Sequence, residues 1–217
     1  MQSAPRLLPA FPEELSERTA ASLIDLGVEV MTGRRVGHID ASSVSIDEEK
    51  LDCCTVFWAA GVIASPAASW LNAPHDRAGR IKVEADLSIK GHDNIFAIGD
   101  TALSEAWDGK PVPGLAPAAK QAGGYAAKVI RARLEGRQDP EPFRYRHAGS
   151  LATIGRRSAV ADFGWFKVSG PLAWWLWGAV HVLFLAGMRN RLSVMMEWFW
   201  AYLTFRSSTR LITADDE

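Results

Sequence analysis

The chain has 217 residues, 48% of them apolar, which is enough for one or two domains around a real core. Its 24 Lys and Arg against 25 Asp and Glu leave a net charge of -1, so no long-range positive field recruits nucleic acid, and no basic run interleaved with aromatics supplies one locally. The two cysteines are the adjacent pair Cys53-Cys54, which is neither metal-ligand spacing nor the C-x-x-C of a dithiol enzyme.

From the amino terminus, Met1 to Arg35 lacks the basic start and apolar stretch of a secretory signal, and the expectation is a cytoplasmic location for the soluble part. Phe11-Pro12-Glu13-Glu14 predicts a helix start, with Leu15, Thr19, Ser22, Leu23 and Leu26 along one face and Gly27 as the stop. Val28 to Met31 reads as a short strand, followed by extended pieces at Arg35 to Ile39 and Val44 to Ile46 with a turn between them. Thr55 to Ala60 reads as an apolar strand ending in Gly61.

Gly79 to Val83 and Leu87 to Ile89 read as a hairpin-like return before a strand at Ile95 to Ile98, and Trp107 to Lys110 as a turn. That strand ends in Gly99-Asp100: a glycine permits close approach of a ligand to the backbone, and a carboxylate at a strand's carboxyl end accepts hydrogen bonds from hydroxyls. Pro117 then opens a helix with few charges in its first turn, so that free N–H groups and the positive helix end face an electron-rich group. Tyr125, Ala126, Val129 and Ile130 form its apolar face, Lys128, Arg131 and Arg133 its solvent face, and Gly136 its end. The pair Gly123-Gly124 disfavours helix by roughly 1 kcal/mol per residue and points to close packing there. Gln138 to Pro142 is the best linker.

The last quarter is built for a different solvent. It holds six of the nine tryptophans, Trp165, Trp174, Trp175, Trp177, Trp198 and Trp200. No fixed charge lies between Lys167 and Arg189, and in the run Pro171 to Met188 only His181 ionises. A bilayer core of about 30 Å takes roughly 20 apolar residues, so this run could just span it. Leu192 to Phe205 differs: Ser193, Glu197 and Thr204 share a narrow stripe with Ala201, the pattern of a helix lying in an interface. Flanking Arg156, Arg157, Lys167, Arg189, Arg191, Arg206 and Arg210 suit anionic lipid, and monotopic attachment is favoured over a buried hairpin in a dimer interface.

The stretches Asn94 to Asp100 and Leu115 to Gly123, with Leu8 to Pro12, Thr55 to Val62, Ala152 to Arg156 and Arg189 to Leu192, resemble the type II NADH:quinone oxidoreductases over nearly the whole chain. The resemblance implies an α/β fold, an incomplete two-dinucleotide-binding-domain flavoprotein of the FAD/NAD(P)-binding type, with a hydrophobic helical membrane-attachment region at its carboxyl end. It implies residues 1–74 as the second half of an NADH-binding domain, 75–142 as the carboxyl-terminal part of an FAD-binding domain and 143–217 as the membrane-associated region. FAD is the implied cofactor, NADH the donor, and a membrane quinone the acceptor, at the cytoplasmic side of the cell membrane. Gly99, Asp100, Pro117, Ala118 and Gln121 are the implied FAD contacts, and Gln121 and Lys167 the implied quinone contacts; Lys120 also lies on the flavin-side segment.

No residue is assigned as a catalytic acid or base, because hydride transfer to a flavin needs stacked rings more than a proton carrier. His181 and Glu197 are better explained as helix residues. The family uses two Gly-x-Gly-x-x-Gly turns and this sequence has none, so the expected partner is a missing amino-terminal half, with a homodimer also open. The alternative is a non-catalytic membrane-associated remnant. Sulfide:quinone reduction would need separated redox cysteines, which Cys53-Cys54 does not provide.

Overall fold

In a computed structural model, residues 1–185 and 187–204 are described. They pack as two compact units: Met1–Cys54 joined with the segment that starts at Gly149, and Thr55–Ala148. Both units cross the sequence-order segments drawn above.

The first unit opens with α1 (Glu13–Asp25), preceded by extended Pro12 and carrying Glu13 and Glu14 in its first turn. Gly27, at φ +81°, ends it; the Gly27 N–H donates to the Ile24 carbonyl at 2.8 Å and Val28 N–H to Leu23 at 3.0 Å, a left-handed cap that satisfies last-turn carbonyls. Leu15, Ser16 and Thr19 are buried, whereas Leu26 lies on the exposed side, past the end of the apolar face. The strand expected at Val28 to Met31 does not form. Its one ladder-like contact is a parallel bridge from Gln2 to Thr32, with Gln2 N–H bonded to the Met31 carbonyl at 2.8 Å.

Strands β1 (Val36–Ile39), β2 (Ser43–Ile46) and β3 (Glu49–Asp52) form an antiparallel meander. Asp40 shapes the first turn: its carboxylate accepts from the Ser42 N–H at 2.9 Å and the Ser43 hydroxyl at 2.7 Å. Those bonds, the hydroxyl foremost, hold its pKa well below the usual carboxylate range. The strand β3 escapes sequence reading, because Glu49-Lys50-Leu51-Asp52 has little strand propensity and is held by its ladder to β2.

In the second unit the chain from Thr55 to Ala60 forms no strand, since no neighbouring strand lies beside it among the described residues. After the short α2 (Ala67–Trp70), β4 (Ile81–Lys82) pairs in parallel with β7 (Ala102–Leu103), and β5 (Ser88–Ile89) pairs antiparallel with β6 (His92–Phe96). A Val83–Ile89 bridge supplies the expected hairpin-like return. Helix α3 (Ala116–Leu134) has Pro117 in its first turn and ends at Gly136, φ +65°. Its buried face is Ala118, Ala122, Ala126, Val129 and Ala132, so small side chains let it lie close to its neighbours; Ile130 is exposed. Leu87, Ala118, Ala122, Phe143 and Tyr145 form one core cluster of this unit, and Ala68, Ala73, Ile81, Ile89 and Ala97 another.

The first unit resumes with a second antiparallel sheet, β8 (Ser150–Ile154), β9 (Ser158–Asp162) and β10 (Lys167–Gly170), in which β9 is central and Ala159, Val160 and Ala161 are buried. Ile154 and Val160 pack with Phe11 and Leu15 of the α1 region. Helix α4 (Pro171–Phe184) leaves β10 directly through Gly170 and packs back on β9 and β10, with Ala173 fully buried. Helix α5 (Met188–Thr204) buries no residue. Trp177 of α4 and Trp198 of α5 stack with centroids 5.4 Å apart, and Arg156 donates to the Ala201 carbonyl at 3.1 Å. Among the described residues no helix is long and apolar enough to cross a membrane. The run Pro171 to Met188 is broken because Leu185 is extended and Gly187 takes φ +80°. Phe205, Arg206 and Arg210, read above as part of the attachment region, lie outside the described residues.

Candidate functional site

The site is built where β6 gives way to a single 3-10 turn. Ile98 is extended, and Gly99 turns at φ +63° into the Gly99–Thr101 turn that carries Asp100. The start of α3 packs against this turn. A Cβ on Gly99 would meet the Ala119 Cβ at 3.3 Å, so the positive φ and the narrow space both select glycine. A Cβ on Gly114 would sit 3.0 Å from Asp100 Oδ1, so the carboxylate lies against bare backbone. Ala119 falls within the helix start singled out by the sequence, whereas Gly114 lies outside it; a glycine two residues before a Pro-opened helix is the signal that could have marked it.

Asp100 is exposed and takes part in no hydrogen bond or ion pair among the described residues. Helix α3 begins without a side-chain cap and without an acidic residue in its first turn. The Ala118 and Ala119 N–H groups both bond to the Leu115 carbonyl, at 2.9 and 3.0 Å, and Pro117 has no N–H. The Ala116 N–H has no acceptor among the described residues. A helix start of this kind holds an uncompensated partial positive charge. The adjoining cleft is lined by Ile98, Gly99, Ser104, Pro113, Ala118 and Ala119, small or apolar groups except for one hydroxyl.

An acceptor-only carboxylate, an open helix start and a backbone stripped of side chains suit a ligand with hydroxyls and a flat, electron-rich part. The residues therefore fit the sugar-alcohol and ring portions of a flavin.

Gly99, Asp100, Pro117, Ala118 and Gln121 all belong to the second unit, whereas Lys167, the exposed first residue of β10, belongs to the first. Gln121 is engaged: its Nε2 donates to the Arg146 carbonyl at 2.9 Å, and its Oε1 accepts from the Arg146 N–H at 3.0 Å. Further along, Phe143 N–H donates to the Ala85 carbonyl and Tyr145 N–H to Ala106, both at 2.9 Å. Residues 143–146 thus strap the first half of α3 to its unit. The Tyr145 hydroxyl lies 3.0 Å from His147 Nδ1, beneath Trp107.

At the far end of α3, Arg133 is paired with Asp86 and Asp139, both at 2.6 Å, and donates to the Asp93 carbonyl. Sequence reading placed that residue in solvent. Partial burial works to raise the Asp86 pKa, but its bonds from Ser88 and Arg133 outweigh this and leave it below the usual value.

The fold built around the Gly-Asp turn is that of the pyridine nucleotide-disulphide oxidoreductases. Residues 1–123 match the pyridine nucleotide-disulphide oxidoreductase family, and the chain belongs to it. Residues 147–207 match the NDH2 C-terminal domain. The chain is 35% identical over 224 residues to the type II NADH:quinone oxidoreductase Ndh of Mycobacterium tuberculosis, covering 98% of this chain and 47% of that one. It is 36% identical to NdhA of the same organism, covering 91% and 44%. The chain spans about half the length of these curated relatives. Among solved structures, NDH2 from Plasmodium falciparum in complex with NADH matches in fold with a TM-score of 0.83 at 20% identity, over 96% of this chain and 58% of that one.

Proposed function

We propose that this chain is the carboxyl-terminal portion of a flavoprotein that transfers electrons from NADH through FAD to a membrane quinone. The observation that carries this reading is the unpartnered Asp100 carboxylate on a glycine turn packed against the uncapped, acid-free start of α3. The curated relatives, named for NADH:quinone oxidoreduction, support it. Bound FAD would supply the redox chemistry that links the donor to the acceptor.

The chain's own residues bind and orient. Asp100 would hold a flavin by accepting hydrogen bonds from its sugar-alcohol hydroxyls. The Ala116 N–H and the α3 dipole would favour negative charge beside the helix start, and Pro117 and Ala118 would leave room for a ring there. Two residues are assigned to the quinone independently: in the first unit Lys167, a donor at the head of β10, and in the second unit Gln121, which keeps one Nε2 hydrogen and one Oε1 lone pair beyond its bonds to Arg146. The unburied Trp198, Phe199, Trp200 and Leu203 of α5 hold the chain to the cytoplasmic face of the bilayer.

The absence of any Gly-x-Gly-x-x-Gly in these residues favours one second reading, a membrane-associated protein without catalysis. The chain is purified alone and, separately, co-expressed with the amino-terminal half of the M. tuberculosis relative; visible absorbance and quinone-dependent NADH consumption are recorded for both. Flavin and turnover are expected only with the added half. A chain that is yellow and active by itself would reject the portion reading, and the absence of flavin in both preparations would favour the second one.

A further inference from the structure

The turn between β9 and β10 runs Phe163-Gly164-Trp165-Phe166, aromatic at every position but one, where a turn facing water ordinarily takes Gly, Pro, Asn, Asp or Ser. It is firmly built. Phe163 N–H donates to the Phe166 carbonyl at 2.9 Å, Gly164 takes φ +82°, and the Asp162 carboxylate accepts from the Gly164 N–H at 2.9 Å. Phe163 lies on bare backbone at Gly149, where a Cβ would be 2.7 Å from its ring, and it stacks with Phe166, centroids 6.5 Å apart. Trp165 leans on Phe166 at 5.6 Å and is still 89% exposed. A rigid turn therefore holds an indole in water, where its apolar surface gains nothing.

The surrounding elements fix what lies beside this tip. Arg156, in the turn between β8 and β9, donates to the Ala201 carbonyl near the end of α5. Trp174 meets Tyr202 at 5.8 Å and Trp177 meets Trp198 at 5.4 Å, so α4 and α5 run antiparallel. The start of α4 and the end of α5 thus sit at the β8–β9 end of the sheet, and α4 packs back along β9 and β10 towards the other end. At that other end, with the aromatic tip, are the end of α4 and the start of α5. Leu183, Met188 and Leu192 are exposed there. So is Arg189, and Arg191 follows it, bonded to the Leu185 carbonyl at 3.0 Å. All of these residues fall within 147–207, the span matched to one C-terminal domain.

We propose that the β9–β10 tip is a lipid contact, in which Trp165 enters the headgroup layer of an anionic bilayer while Arg189 and Arg191 meet its phosphates. The inference rests on the attachment of α5 proposed above and adds a second point to it. Trp198, Trp200 and Leu203 lie in the carboxyl-terminal half of α5, and a helix of 17 residues is about 25 Å long, so the tip contacts the bilayer roughly one helix length from them. Two contacts at that spacing fix the tilt of the unit on the membrane, which one end of a single helix leaves free. A second copy of the chain is the poorer occupant, because two such ends bring like charges together.

The test uses the full chain carrying Cys53→Ser, Cys54→Ser and Trp165→Cys, with an environment-sensitive fluorophore on the thiol at 165. It is titrated with phosphatidylcholine vesicles containing about one quarter phosphatidylglycerol. Emission should shift to the blue on the vesicles and be quenched by lipids that carry a quencher at headgroup depth. In co-sedimentation with the same vesicles, Trp165→Ser should bind about 10-fold more weakly and Trp165→Phe no more than about 3-fold, both with the melting temperature of wild type. Trp165→Ser binding as wild type, a lowered melting temperature, or a blue shift that needs a second copy or an added amino-terminal half in place of vesicles would each overturn the proposal. Trp200→Asp with Leu203→Asp separates it from the reading beneath it. Release by that pair but not by Trp165→Ser removes the tip and keeps α5 as the anchor, whereas a wild-type chain that binds no vesicles ends both.

Discussion

The Gln121 side chain closes a two-bond ring with the backbone of Arg146: Nε2 donates to the carbonyl at 2.9 Å and Oε1 accepts from the N–H at 3.0 Å. Gln121→Met removes both bonds and should lower stability by about 1–2 kcal/mol, the low end because the pair is partly solvated. Gln121→Glu keeps the acceptor and loses the donor, so it should fall between. Denaturant melts of the three proteins rank them. In the complemented enzyme, equal losses of flavin reduction and quinone turnover would mark Gln121 as a positioning residue, while a loss confined to quinone would mark contact with it.

Asp100→Ala should release FAD from the complemented enzyme. A carboxylate bonded to hydroxyls contributes about 1.5–3 kcal/mol per charge-assisted bond, so flavin affinity should fall by about 10-fold or more. Gly99→Val should do the same by a different route, since its side chain would be forced into Ala119 at a backbone φ of +63°. Cys53→Ser and Cys54→Ser should leave turnover intact. Bound flavin per protein, read from the visible spectrum, settles each case; full retention by the Asp100 variant would refute the placement of the site.

Arg133 gives the second unit an acid-sensitive clamp. Asp86, paired with it, has its folded pKa below the ordinary 3.8, so its contribution is fully present above that value and is lost as pH falls through the folded pKa. Arg133→Met leaves Asp86 and Asp139 without their shared cation. The stability gap between wild type and this variant should be constant from about pH 7 to 5 and should shrink below about pH 4. Melts across that range check the sign; a gap that widens on acidification would contradict it.

Tyr125 carries a buried hydroxyl with no hydrogen-bond partner among the described residues, while its ring packs on Phe143. Tyr125→Phe removes the unsatisfied group and keeps the ring. Its stability should be equal to wild type or higher by up to about 1 kcal/mol. A clear loss would reveal a partner for that oxygen.

How far the sequence could be read follows from where the stabilising partners lie. Helix α1 and helix α3 were legible because their signals are local: Pro12 with Glu13 and Glu14, Pro117, and the glycines at Gly27 and Gly136. The Gly99-Asp100 turn was legible for the same reason. The strand expected at Thr55 to Ala60 does not form, since propensity alone cannot supply a ladder and no neighbouring strand lies beside it among the described residues. The opposite error was β3, whose unpromising sequence is recruited by β2. Arg133 looked like a solvated helix residue because Asp86, 47 positions away, is invisible to helical periodicity. The Gln121–Arg146 ring spans 25 positions and carries no local mark at all.

Attachment to lipid should depend on α5 more than on α4, because α4 is packed on β9 and β10 while α5 has no fully buried residue. Truncation after Leu185 should give a protein that stays in the supernatant and keeps its sheet. In the full chain, Trp200→Asp with Leu203→Asp should shift most of the protein out of the membrane pellet, and the unmodified chain should come off with detergent far better than with salt. Unchanged pelleting of the double variant would move the attachment surface elsewhere.

Trp177 and Trp198 lie nearly parallel, with 6° between their planes and 5.4 Å between centroids. Two indoles so placed cover each other's faces, so one aromatic pair holds α4 to α5 across the turn between them. Whatever parts the two helices, whether detergent, lipid or an incoming ligand, must first uncover both indole faces.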